Sequence, residues 1–230
     1  MLDDLELKVF YNTLFSRRDV RSQFSGEEMD KKVLGRILLA AHSAPSVGMS
    51  QPWDFVLVTD PDIRSRFKDH VYKEREAYEA SLEQDRAENF KRIKIEGIME
   101  SSLGVVVTYD PHRGAPSVLG RHAIDDAGLY SVCLAIENLW LAATAEGIGV
   151  GWVSFYREEF LGELLGIPKH VRPIAWLCVG PVTHFEKVPD LERFSWQSRR
   201  PIEPFLRHNR YESQSDLDQV VYLPKDGFDL

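Results

Sequence analysis

The stretch "AGLYSVCLAIENLWLAATAE", within residues 124–146, constrains the fold more than any other part of this chain. It reads as a long helix that is apolar on nearly every face, and such a helix must be buried all round, in a core or against another subunit. A chain of 230 residues rarely hides such a helix alone, so a homodimer is expected. Glu137 and Asn138 interrupt the run, and its longest uncharged part falls short of the roughly 18 residues of a membrane span, so no membrane partner is expected.

Four short β-rich runs surround this helix: "WDFVLVTD" between Pro52 and Pro61, "LGVVVTYD", "VGWVSFY" and "IAWLCVG". Helices separated by single strands, with too few strands for a doubly wound fold and no GxGxxG turn, predict an α+β sandwich. Ser25 to Glu28 reads "SGEE", a capping box that predicts a helix start. Val33, Leu34, Ile37, Leu38 and Ala41 then recur at helical spacing up to Pro45, which ends the element. Residues 62–102 are strongly charged and read as two exposed helices or a helical lid, and 197–230 read as an extended polar arm. One domain over 1–230 accommodates both excursions.

Composition narrows the function. A net charge of −8 argues against a nucleic-acid partner, which needs a basic face. The start "MLDDLELKVF" carries acids where a secretory signal is basic, so a cytoplasmic protein is expected. Cys133 and Cys178 lie in apolar runs and read as small buried hydrophobes. The seven histidines are scattered, with no Cys/His pair at metal spacing, so no metal centre is expected; His42 and His122 read as structural. GxSxG is absent, which removes the serine hydrolases of that class.

Arg17, Arg18 and Arg21 in "SRRDVR" are concentrated positive charge in an acidic chain, either a solvated face or a set of planar forks for a phosphate. Asp19 among them reads as an ion-pair partner of Arg18 or Arg21, or as a proton-transfer group. "GVGWVS" is a strand entry whose glycines, Gly149 and Gly151, let another backbone or a flat ligand come close.

"RRDVR", "APSVGMSQPW", "GVGWVS" and "WQSRRP", in that order along nearly the whole chain, resemble the nitroreductase superfamily of FMN proteins. The resemblance implies an α+β sandwich with a central, mainly antiparallel sheet flanked by helices, in an intertwined homodimer with two interfacial FMN sites. Arg17, Arg18, Arg21 and Arg199 would hold the phosphate. Pro45, Ser46, Gln51, Pro52 and Trp53 would lie along the flavin ring, with Gly151 and Trp152 on its other side.

Ordinary members read "RRSVR" and carry asparagine where this chain has Met49. Asp19 and Met49, with "KIEGI" and "NLWLAATAEG", are similar to a specialised branch that consumes its flavin. That likeness implies fragmentation of reduced FMN by O2 to 5,6-dimethylbenzimidazole, the lower ligand of vitamin B12, and erythrose 4-phosphate. It makes Asp19 an acid and base in turn, Ser154 a hydroxyl near the ring, and Gly48 an amide donor where charge develops on O2. Lys94 and Glu96 would close over the ring. A separate flavin reductase would supply FMNH2. The alternatives are an NAD(P)H-dependent FMN nitro or enone reductase, which leaves flavin intact, and a noncatalytic flavin-binding protein.

Overall fold

The computed structural model describes residues 2–114, 116–212 and 220–222. The four β-rich runs form β1 (Phe55–Val58), β2 (Leu103–Tyr109), β3 (Ile148–Val153) and β4 (Arg172–Pro181), joined in the order β1-β2-β4-β3 with every pair antiparallel. Both faces of the sheet are covered. On β2 and β4, Val105, Val107, Ala175, Leu177 and Val179 enter one core, while Val106, Trp176 and Cys178 enter the other. This is the two-residue alternation of a strand, here apolar on both sides because helices cover both.

The first core lies under α2 (Lys31–His42) and α5 (Ala127–Ala145). The second lies under α3 (Pro61–Ala80), α4 (Gln84–Lys91) and α6 (Glu158–Leu165), where Trp176 stacks on Phe67 with ring centroids 3.9 Å apart. Burying side chains of this size contributes about 1.5–3 kcal/mol each.

Several expectations are corrected. The second helix begins at Lys31, not after Ser25, because the Asp30 carboxylate caps the amides of Lys32 and Val33. The Ser25 hydroxyl instead accepts from Glu27 N. Within this chain α5 is buried on one side only: Val132, Ile136 and Leu139 face the core, whereas Tyr130, Cys133 and Leu134 are exposed. By length and composition α5 could cross a membrane, but it packs on α2, β2 and β3 as a core helix.

The amino-terminal helix α1 (Asp4–Ser16) has no counterpart in the sequence reading, although Asp3 and Glu6 form a reciprocal capping box. It touches α5, buries no residue and leaves Leu5, Val9 and Phe10 exposed. The short α7 (Asp190–Arg193) was likewise not anticipated. The arm from 197 runs through a turn at Glu203–Phe205; its residues 213–219 and 223–230 lie outside the described residues.

Candidate active site

The chain leaving α1 docks beside β3. Asp19 forms a parallel bridge with Val150, and Val20 N donates to Val150 O over 2.9 Å. Glycine at 151 is what permits this: a Cβ there would collide with the Val20 carbonyl and the Arg21 guanidinium. Gly149 makes the same room for Val20 and Val182. The glycines of "GVGWVS" therefore admit another backbone segment, and that segment carries Asp19.

Arg21 is buried and grips Asp19 with both ends of its fork, at 2.7 and 2.5 Å, while also donating to the Trp152 carbonyl over 2.5 Å. The Trp152 amide donates to the same carboxylate over 3.0 Å. Bidentate geometry of this kind fixes orientation as well as charge. The Asp19 side chain, 48% accessible, lines a cleft of about 520 Å³. Enclosure by the cleft walls raises the Asp19 pKa above the ordinary carboxylate value and outweighs Arg21, the Trp152 amide and Arg17, which act to lower it.

The cleft has a polar floor and apolar walls. Asp19, Arg21, Lys94, Ser154 and Asp190 supply the polar groups. Tyr78 and Phe90 come from the charged excursion at 62–102, Phe155 follows β3, and Leu191 and Trp196 close the far side. Arg86 lies 3.9 Å over the Trp196 ring, and Asn89 donates to Ser195 O over 3.2 Å, so α4 is tied to the segment opposite. Lys94 Nζ pairs with Glu100 over 2.7 Å at the cleft wall. Glu96 is elsewhere, buried and accepting from Ile98 N and the Tyr72 hydroxyl. Tyr78 and Phe90 escaped the sequence reading because each is an isolated apolar position in a charged stretch, while Phe155 and Trp196 lie in "VGWVSFY" and "WQSRRP" but carry no signal there that places them at a cleft.

Arg18 has different surroundings from Arg21. Its terminal nitrogens donate to the carbonyls of Phe15, Arg17 and Lys187, but its buried Nε has no partner among the described residues. Burial first, then the positive charges of Arg199 and Arg17, lower its pKa. Arg17 lies 4.9 Å over the Trp140 ring, with Glu137 3.7 Å away. Arg17, Arg18 and Arg199 thus form an under-neutralised cationic cluster with an unsatisfied N–H, which fits a bound phosphate.

The loop at 45–51 does not line this cleft. Ser46 Oγ accepts from Gln51 N, Gln51 Nε2 reaches His42 O, and Val47 N donates to Ser131 Oγ on α5. Pro45 and Gly48 are exposed, and Gly48, Met49 and Gln51 all have positive φ, which strains the two non-glycine residues. The His42 ring accepts from Trp53 Nε1 and so serves the structure. One chain therefore brings Asp19, Arg21, Lys94, Trp152 and Ser154 together, but not Pro45, Ser46, Gly48 or Gln51 with them.

The model of the nitroreductase family matches residues 14–181, from the end of α1 through β4. The chain belongs to the nitroreductase family. Within it, the chain is 39% identical over 185 residues to the 5,6-dimethylbenzimidazole synthase of Rhodospirillum rubrum, covering 80% of this chain and 87% of that protein. A BluB-like flavoprotein from Clostridium difficile superposes with a TM-score of 0.65 at 21% identity, covering 87% and 98% of the two chains. An iodotyrosine deiodinase bound to FMN and 3-iodo-L-tyrosine gives 0.70 at 20% identity, covering 88% and 100%. Both share the α+β fold of this nitroreductase-family chain.

Proposed function

We propose that this nitroreductase-family chain fragments reduced FMN with O2, releasing 5,6-dimethylbenzimidazole and erythrose 4-phosphate. The observation that carries the reading is Asp19: a carboxylate fixed on the polar floor of an apolar cleft, its proton affinity raised by enclosure, on a chain 39% identical to a named 5,6-dimethylbenzimidazole synthase. A raised pKa brings a carboxyl nearer to neutrality, where it both gives and takes protons, a contribution of about 10²–10⁴ in rate.

Bound reduced FMN supplies the electrons and the carbon skeleton, and the chain supplies position and protons. Arg17, Arg18 and Arg199 hold the phosphate. Arg21 has its donors on Asp19 and Trp152 and acts by holding the carboxylate in place. Ser154 and Lys94 offer hydrogen bonds from the floor, while Tyr78, Phe90, Phe155 and Trp196 keep water out.

Pro45, Ser46, Gly48 and Gln51 complete the site from a second copy of the chain. The exposed apolar residues of α1 and α5 support that homodimer, and the Val47–Ser131 bond couples the loop to α5. Because FMN is consumed at each turnover, a separate flavin reductase delivers it reduced. The two free thiols suit a reducing compartment, the cytoplasm.

The test is to reduce FMN anaerobically with the protein, admit air and chromatograph the products. Loss of FMN with appearance of 5,6-dimethylbenzimidazole is expected. Intact FMN alone would mean a carrier, or a reductase if NAD(P)H is oxidised.

A further inference from the structure

Away from the cleft, at the end of the sheet where Tyr109 of β2 pairs with Arg172 of β4, two turns meet. Asp110 and His112 follow β2, and His170 precedes β4. One ligand atom from each of these three side chains lies within 4.8 Å of the other two. None of the three lines the flavin cleft. From Arg172 to Leu177, opposite Trp152, the strand covers roughly 17 Å at its usual rise.

The backbone holds all three residues in place. Asp110 N donates to Pro52 O over 2.8 Å, and His112 N donates to Asp110 Oδ1 over 2.8 Å. Val171 N closes the turn around His170 by donating to Pro168 O over 2.8 Å. The rings of His112 and His170 are nearly parallel, with centroids 4.9 Å apart, and neither imidazole has a hydrogen-bond partner among the described residues. Asp110 Oδ2 accepts no hydrogen bond among the described residues and forms only a long ion pair with Arg113. Its nearest cation, Arg113 Nε, is 3.8 Å away, and that guanidinium is engaged by Asp54 and the Trp53 carbonyl.

We propose that Asp110, His112 and His170 bind a first-row divalent cation of borderline softness, Zn2+ being the best match, with a fourth position left to water. Two imidazole nitrogens and one carboxylate suit Zn2+ and disfavour Mg2+ and Ca2+, which take oxygen ligands. Ligands about 2.1 Å from one ion sit about 3.4 Å apart, so the three ligand atoms, which lie within 4.8 Å of one another, need to close by up to about 1.4 Å and the near-parallel rings to tilt toward the ion. The ion would link the turn after β2 to the turn before β4, a cross-link between segments distant in sequence, and would stabilise the folded chain by an amount that grows with the logarithm of the free ion concentration above its Kd.

The experiment uses the full chain stripped with chelator and then titrated with Zn2+, and in parallel with Co2+ as a visible probe. Binding of one ion per chain is expected, with a rise in Tm and, for Co2+, the absorption of a low-coordinate site. His112→Ala and His170→Ala should each weaken binding by about tenfold or more and abolish the Tm rise. Both residues are on exposed turns, and unchanged far-UV circular dichroism and FMN binding will show that the variants fold. Uptake and Tm rise equal to wild type in both variants would overturn the proposal. So would no Zn2+ uptake by the wild type, or displacement of the ion by millimolar Mg2+.

Discussion

Arg18 and Arg21 stand in one short segment and meet opposite electrostatic surroundings. Arg21 is matched by a carboxylate on both ends of its fork and by a carbonyl, whereas Arg18 faces Arg17 and Arg199 and keeps an unsatisfied Nε. The cause is the docking of the segment on β3. Around Asp19 the chain runs along Val150, which places Asp19 and Arg21 at the cleft and leaves Arg17 and Arg18 on the side of Arg199. One basic motif thereby presents an under-neutralised cationic end and a fixed carboxylate end.

The largest effect should come from breaking that docking. Gly151→Ala puts a methyl into the Val20 carbonyl, and overpacking against backbone costs about 1–3 kcal/mol or more. Both ends should fail together, with a lower Tm, weak FMN binding and no product. Retention of either function would show that the ends do not depend on the same contact.

Next come the variants that separate the ends. Arg18→Ala with Arg199→Ala should weaken FMN binding by about ten- to a hundredfold, the range for losing charge-assisted hydrogen bonds, while product per bound flavin changes little. Flavin fluorescence titration reads the first quantity and chromatography the second. Ser154→Ala removes one neutral hydroxyl and should slow product formation by about fivefold, with FMN affinity unchanged.

The smallest effect is a slope. Because enclosure raises the Asp19 pKa, the folded chain binds more protons than the unfolded one between the ordinary carboxylate value of 3.8 and the raised value. The stability contributed by Asp19 is present below that window and lost as pH rises through it. The Tm difference between wild type and Asp19→Asn should therefore shift in favour of the variant as pH rises from 4 toward neutrality. A shift in the opposite direction would mean that Arg21, and not enclosure, sets the pKa.

The strands were legible because short β-rich runs such as "WDFVLVTD" specify them locally, whereas their antiparallel arrangement came only with the resemblance to the nitroreductase superfamily. The start of α2 was misplaced because "SGEE" and Asp30 both offer caps, and the choice depends on where Val33 and Ile37 meet the core. The outer half of α5 could not be distinguished from its core half, since Leu134 and Leu139 are alike as residues and differ only in what packs on them. In the site, Asp19, Arg21, Ser154 and Lys94 were legible as motif members. The pairing of Asp19 with Arg21 rather than Arg18 was not, because β3 decides it. Asp110, His112 and His170 were unreadable as a group, since only the β2–β4 register makes them neighbours.

The most direct test of the division is Asp19→Asn, which keeps the shape of the cleft and removes the charge. FMN affinity and the yield of 5,6-dimethylbenzimidazole from reduced FMN and O2 are to be measured on the same preparation. Affinity within a few-fold of wild type is predicted, with product formation lowered by about a hundredfold or more, the scale of a lost acid–base group. Product at the wild-type rate would contradict the role assigned to Asp19.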